Sequence, residues 1–261
     1  MQITDFYEYD RKAGRKISMI TAYDYITGQL AQRAPVDCVL VGDSLSMTVY
    51  GHDSTIHADM GMMERHTAMV ARAVRGKLLV GDMPFLSYHK EPAEAVENAG
   101  RLARAGAQAV KLEGAAHEEA VRRIIASGVP VMGHLGLTPQ SVNLLGGFRV
   151  QGRRARAAAA ILACARKLER LGCFALVLEC VPRALGKAVT AALKIPVIGI
   201  GAGPDTDGQV LVIADMLGFC ENAPRFLKRY MDGAGEADKA LRRFDREVKS
   251  GAFPAEEHCY K

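Results

Sequence analysis

The sequence predicts an α/β protein, a closed (β/α)8 TIM barrel, on three observations. Short apolar runs with the composition of strands buried on both faces alternate with helical stretches along the whole chain. No linker or shift in composition interrupts the alternation, so residues 1–261 read as one barrel domain with an N-terminal arm or helix and a C-terminal helix. Four of the runs also end in an acid. Residues 39–41 lead into Gly42, Asp43 and Ser44; residues 78–81 into Asp82; residues 109–112 into Glu113; residues 176–178 into Glu179. A barrel delivers the C-terminal ends of its strands to one face, where active sites lie, so these carboxylates are expected on a common rim.

Taken in order, residues 1–16 suit an opening helix or arm, with Asp5 as its N-cap and Phe6, Tyr7 and Tyr9 available for docking. Residues 17–22 make a first strand ending at Tyr23 and Asp24, and a helix through residues 29–33 leads to the second strand at 38–41. Polar chain over residues 50–55 reads as a long loop. A Met- and Ala-rich helix over about residues 61–75 precedes the third strand, which ends at Asp82. Residues 92–104 begin with Pro92 and carry Ala and Leu on one face, as a helix would. The fourth strand is 109–113, a short helix 118–126, and the fifth strand 130–134, ending at His134. Residues 136–149 form Gly-rich chain without periodicity, a length more often functional than idle. Residues 154–171 are Ala-rich and strongly helical, the sixth strand ends at Glu179, and the seventh is 196–200. Beyond Gly208 the chain reads helical to Leu217, which leaves residues 226–230 as the expected eighth strand and 236–249 as a closing helix.

Composition narrows the class of function. Apolar residues make up 49% and charged residues 24%, ordinary for a globular protein. The net charge of +5 is spread along the chain, no basic block is interleaved with aromatics and Trp is absent, so nucleic acid is not an expected partner. The six cysteines lack paired metal spacing and read as reduced thiols. No apolar run reaches membrane-spanning length and the first residues lack a signal-peptide core, so a cytoplasmic protein without membrane contact is expected.

Four carboxylates on one rim repel unless something positive sits among them. Lys111 is one candidate: two residues before Glu113, it shares that residue's strand face. A hard divalent cation is the other, and oxygen ligands without clustered His or Cys fit Mg2+. Asp43 and Asp82 are the expected ligands, with Glu113 binding directly or through water. Such an ion, beside a lysine, suits a small 2-oxo acid, whose keto oxygen it would polarise to stabilise an enolate. Glu179, from a more distant strand, is the expected proton acceptor, its apolar neighbours raising its pKa toward the working range. Ser44 is placed to hydrogen-bond the substrate and His134 to donate to a product oxygen. Each has a plainer reading. A serine or acid after a strand is often only a helix N-cap, which applies to Ser44 or Asp82 singly and weakens for four acids together. A lone histidine is more often structural, and Cys180, beside Glu179, should face the other side of its strand. The Gly-Ile-Gly-Ala-Gly run at 199–203 lacks the rest of a dinucleotide fingerprint.

Residues 19–24 (MITAYD), 41–45 (VGDSL), 51–55 (GHDST), 107–114 (AQAVKLEG), 133–143 (GHLGLTPQSVN), 175–182 (ALVLECVP) and 198–210 (IGIGAGPDTDGQV) together resemble the ketopantoate hydroxymethyltransferase family. The resemblance runs from about residue 17 to the Phe253-Pro254 pair. It implies a barrel of the phosphoenolpyruvate/pyruvate superfamily. It also implies transfer of a hydroxymethyl group from 5,10-methylenetetrahydrofolate to 3-methyl-2-oxobutanoate through a Mg2+-stabilised enolate. The products would be 2-dehydropantoate and tetrahydrofolate, on the way to pantothenate and coenzyme A. Carried over by motif, Asp43 and Asp82 would bind Mg2+ with Glu113 as third acid. Asp43, Ser44, Asp82 and Lys111 would contact the keto acid, His134 the added hydroxymethyl group, and Glu179 would accept the proton. The family resemblance further implies a homodecamer. Ser46, residues 56–59 and Thr206 depart from the family's usual residues, which bears on loop geometry rather than on the chemistry. The rivals are a lyase of the same superfamily, whose Cys-Gly-His-like loop is missing here, and a non-catalytic barrel, against which the intact set of Asp43, Asp82, Lys111, Glu113 and Glu179 argues.

Overall fold

The structure, a computed structural model, describes residues 1–220 and 224–261. The chain forms two compact units, Met1–Ile213 and Ala214–Lys261. In the first, eight parallel strands close into a barrel in chain order: β1 Ile17–Thr21, β2 Cys38–Val41, β3 Leu78–Asp82, β4 Ala109–Glu113, β5 Val131–Gly136, β6 Ala175–Glu179, β7 Val197–Ile200 and β8 Gly208–Leu211, which pairs back to β1. Every residue of β2, β3 and β4 is buried, because one face packs inside the barrel and the other under helices.

The helices are α1 Ile3–Tyr7, α2 Tyr25–Arg33, α3 Leu45–Thr48, α4 Met60–Ala73, α5 Pro92–Arg104, α6 Glu118–Ala126, α7 Val142–Leu145, α8 Ala155–Leu171, α9 Arg183–Ala192, α10 Ile213–Met216 and, in the second unit, α11 Gly233–Ser250. Several starts are set by side chains: Asp24 accepts from the Thr27 amide to open α2, and Asp59 accepts from Met62 to open α4. The docking role expected for Phe6 holds. Its ring is buried and meets Phe174 edge-on at 5.4 Å, joining α1 to the core of Met19, Leu40, Leu78, Met132, Val177 and Ile198. Asp5, however, is not the N-cap of α1. Gln2 is, and the Asp5 carboxylate reaches back to accept from the Gln2 amide at 2.7 Å.

The eighth strand also differs from expectation. It is Gly208–Leu211, in a stretch that reads as helical, whereas residues 226–230 carry no strand or helix. The reason is steric. A Cβ at Gly208 would lie 2.4 Å from the Ile17 carbonyl oxygen, so the glycine that looks like a break is what lets β8 lie against β1. With only four residues, one of them an exposed glutamine, β8 has no apolar run to announce it. Helix begins only at Ile213, whose amide is held by Thr21 Oγ1 at 2.9 Å. In the second unit α11 is the expected closing helix, its start capped by the Asp232 carboxylate. Among the described residues no helix is long and apolar enough to cross a membrane.

Candidate functional site

Strand register builds the site. Parallel pairing sets Asp82 opposite Lys111, Glu113 opposite His134, and Gly136 opposite Glu179. Asp82, Glu113 and Glu179 are the last residues of β3, β4 and β6, and Asp43 stands two residues beyond β2. Asp43, Asp82, Lys111, Glu113 and His134 are all buried. Lys111 Nζ lies 2.5 Å from Asp82 Oδ1, and the Asp43 amide donates to Asp82 Oδ2 at 3.1 Å. His134 bridges the remaining acids, with Nδ1 3.3 Å from Glu113 Oε1 and Nε2 3.2 Å from Glu179 Oε2. Lys111 Nζ is 3.3 Å from the same Nδ1. These six residues therefore form one connected cluster at the C-terminal ends of the strands.

Ser44, the seventh, stands at the start of α3 but its hydroxyl makes no capping bond; it meets Tyr23 Oη at 2.8 Å instead. Asp82 likewise caps no helix, since its oxygens face Lys111 and the Asp43 amide. The N-cap reading fails for Asp82, while Ser44 occupies the N-cap position of α3 without a side-chain capping bond.

Three residues join that sequence reasoning missed. Gln140 Nε2 donates to Asp43 Oδ2 at 2.8 Å and to the Met83 carbonyl at 2.9 Å, while the Gln140 amide donates to Glu113 Oε2 at 3.0 Å. Tyr88 Oη donates to Gln140 Oε1 at 2.7 Å and accepts from the Glu113 amide at 3.1 Å. Tyr23 holds Ser44. Gln140 lies in the aperiodic stretch after the fifth strand, so the length of that stretch was the available signal. A neutral amide has no charge to single it out.

Electrostatics follow from burial. Loss of water raises the Asp43 carboxyl well above the usual range, and the charges of Asp82 and Glu113 push it further the same way. Burial also raises Asp82, although Lys111 works against it. Burial acts to raise Glu113 too, but the contacts with His134 and the charge of Lys111 outweigh it and hold this carboxyl low. Burial and Lys111 act to lower His134, but the Glu113 and Glu179 carboxylates outweigh them and bring it up to about 9. His134 is thus a cation at neutral pH, able to give a proton at either ring nitrogen. With every group ionised, four carboxylates face two cations. Asp82 Oδ1, Glu113 Oε1 and His134 Nε2 are buried and have ion-pair neighbours, yet none makes a hydrogen bond of good geometry. Among the described residues, no three His, Cys, Asp or Glu side chains converge closely enough to hold a metal ion by themselves.

The backbone beside Glu179 is tightly specified. A Cβ at Gly136, whose φ is +93°, would lie 2.1 Å from the Glu179 carbonyl oxygen. The Leu137 amide donates to that same oxygen at 2.9 Å. Burial, and then the charge of Glu179, push the Cys180 thiol up to about 12, which rules it out as a ready nucleophile.

Comparison with known proteins places these features in a group. Residues 1–256 match the family described as ketopantoate hydroxymethyltransferase. The 3-methyl-2-oxobutanoate hydroxymethyltransferase of Coxiella burnetii (strain CbuG_Q212) is 48% identical over 254 residues, covering 96% of each chain. That of Bdellovibrio bacteriovorus is 49% identical over 260 residues, covering 99% of this chain and 98% of its own. Among solved structures, 2,3-dimethylmalate lyase, a PEP mutase/isocitrate lyase superfamily member, superposes with a TM-score of 0.62 at 14% identity, covering 97% of this chain and 89% of that one. Phosphonopyruvate hydrolase in complex with oxalate and Mg++ gives 0.62 at 13% identity, covering 100% and 92%. At such identities the two structures establish the fold alone.

Proposed function

Because the chain belongs to the ketopantoate hydroxymethyltransferase family and is an enzyme of that kind, we propose that its acid rim performs the transfer, taking the hydroxymethyl group from 5,10-methylenetetrahydrofolate and adding it to 3-methyl-2-oxobutanoate. The observation that carries this reading is the excess of buried carboxylate over cation around Lys111.

A divalent cation such as Mg2+ fits the donor set. The shortfall of positive charge is two, the available atoms are carboxylate oxygens, and Asp82 Oδ1 is imperfectly bonded. Asp43 and Asp82 would hold it. Mg2+ commonly takes one or two carboxylates and completes its shell with water and substrate, which agrees with the lack of a closed three-residue cage. Glu113, engaged with the Gln140 amide and His134, would act through water. When bound, the cation would draw charge toward a keto oxygen and so acidify the neighbouring C–H bond.

The chain's own residues divide the remaining work. Lys111, held against Asp82, supplies a fixed positive charge for the substrate carboxylate or keto oxygen, and Ser44, turned toward Tyr23, offers a hydroxyl beside it. Glu179, at the end of β6 and only partly exposed, takes the proton from C3 of the keto acid. Water takes the methylene off the folate nitrogens as the one-carbon aldehyde, leaving tetrahydrofolate. The carbon nucleophile formed by loss of the C3 proton attacks that aldehyde carbon, so the hydroxyl oxygen comes from water and its proton from the site's acid. His134, protonated and shared between Glu113 and Glu179, contacts the new hydroxyl group. The family resemblance also supports a cytoplasmic homodecamer, which light scattering would test.

The test is product formation. Incubated with Mg2+, 3-methyl-2-oxobutanoate and 5,10-methylenetetrahydrofolate, the protein should release 2-dehydropantoate and tetrahydrofolate in equal amounts. Cleavage of a carbon–carbon or carbon–phosphorus bond in related 2-oxo acids, with no folate consumed, would favour the lyase reading instead.

A further inference from the structure

The ends of α4 and α5, the residues that lead into β3 and β4, and Leu79 of β3 line a cleft of about 610 Å3 on the barrel face opposite the acid rim. Its lining includes Arg72, Arg75, Lys77 and Arg104 and, among the described residues, no acidic side chain. Two of these cations are already engaged. Lys77 Nζ donates to the carbonyls of Ala34 and Val36, and Arg104 pairs with Glu97 at 2.7 Å. The guanidinium groups of Arg72 and Arg75 have no hydrogen-bond or ion-pair partner among the described residues. Arg72 and Arg104 occupy the last turns of their helices, where the negative helix end favours a cation by a fraction of a charge each. That effect does not account for Arg72 and Arg75 standing without a counter-charge beside Lys77 and Arg104.

We propose that this cleft binds a small organic polyanion, a phosphate ester or a polycarboxylate, at a site separate from the reaction. A guanidinium presents parallel N–H donors that match two oxygens of either group, so Arg72 and Arg75 would supply the recognition. Lys77 and Arg104 contribute field from fixed positions. Small apolar residues, Ala71 and Val74, leave room between the helices for the carbon part. The volume lies in the range that small-molecule sites occupy. Leu79, in the cleft, and Asp82, on the rim, are three residues apart on β3, about 10 Å at the rise of a strand.

The experiment titrates the full chain, without Mg2+, against pyrophosphate and separately against citrate by calorimetry, with ionic strength held constant by sodium chloride. The proposal expects saturable binding of at least one anion, weakened fivefold or more in Arg72→Gln/Arg75→Gln, with hydroxymethyl transfer unchanged; the tighter anion tells phosphate from polycarboxylate chemistry. Equal binding by parent and variant, or no saturable heat beyond a chloride control, overturns it. If the double variant does not fold, Arg75→Gln alone carries the comparison. A change of molar mass in the variant by light scattering would show that the cations face a second copy of the chain, and the proposal fails.

Discussion

Replacing Lys111 by methionine tests the electrostatic design of the rim most severely. The substitution keeps most of the side-chain volume and removes a buried cation that lies 2.5 Å from Asp82 Oδ1 and also offsets Glu113 and Asp43. Breaking a buried ion pair from one side costs about 3–5 kcal/mol, because the abandoned charge keeps its desolvation penalty. At neutral pH, Lys111→Met should therefore lose about that much in urea unfolding followed by circular dichroism. The pH dependence has a definite sign. Without Lys111 the Asp82 carboxyl, already raised by burial, rises further above its unfolded value. The folded variant then binds more protons than the unfolded chain between those two values, so its stability increases as pH falls through that window. The deficit is greatest at neutral pH and shrinks on acidification. Adding Asp82→Asn should restore part of the loss, and only part, since Asp43 still lacks the offset of Lys111 and Glu113 keeps only His134. A deficit below about 1 kcal/mol at pH 7, or a double variant no better than the single, would refute the reasoning.

Glu179→Gln should abolish exchange of the C3 hydrogen of 3-methyl-2-oxobutanoate in deuterated water while keto-acid binding survives; NMR showing exchange at the parent rate would remove Glu179 as the base. Gln140→Leu deletes donors to Asp43 and to the Met83 carbonyl and strands the Tyr88 hydroxyl, so a loss of about 2–4 kcal/mol in chemical denaturation is expected, against about 1 kcal/mol for Tyr88→Phe. Asp37 tests the opposite pH sign. Burial acts to raise its carboxyl, but the Ser18 amide and hydroxyl and Arg15 outweigh this and hold it below the usual range. Its contribution should be complete above the unfolded value and vanish as pH falls through the lower folded one, so the stability gap between parent and Asp37→Asn should close in acid.

Most of the barrel was legible because several of its strands are buried on both faces and end at or just before an acid. Leu78–Asp82 and Ala109–Glu113 carry that signal undiluted. The charged part of the site was legible for the same reason, since an acid at the end of an apolar strand stands out. What stayed hidden had no such contrast. Gly208–Leu211 became a strand through the room its glycine leaves beside β1, a tertiary fact rather than a local preference. Asp5 supplies the reciprocal bond of a capping box, not the cap, a distinction of three residues that composition does not resolve. Gln140, Tyr88 and Tyr23 act through hydrogen bonds between distant loops, and their residue types alone carry no sign of that.

Titration of Mg2+ into the protein by calorimetry, with and without 3-methyl-2-oxobutanoate, most directly probes whether the buried acids share one dication with the substrate. Binding should be saturable, tighter in the presence of the keto acid, and at least tenfold weaker in Asp82→Asn, with the same change seen for the keto acid when Mg2+ is fixed. Parent and variant isotherms that superimpose, or Mg2+ binding indifferent to the keto acid, would contradict it.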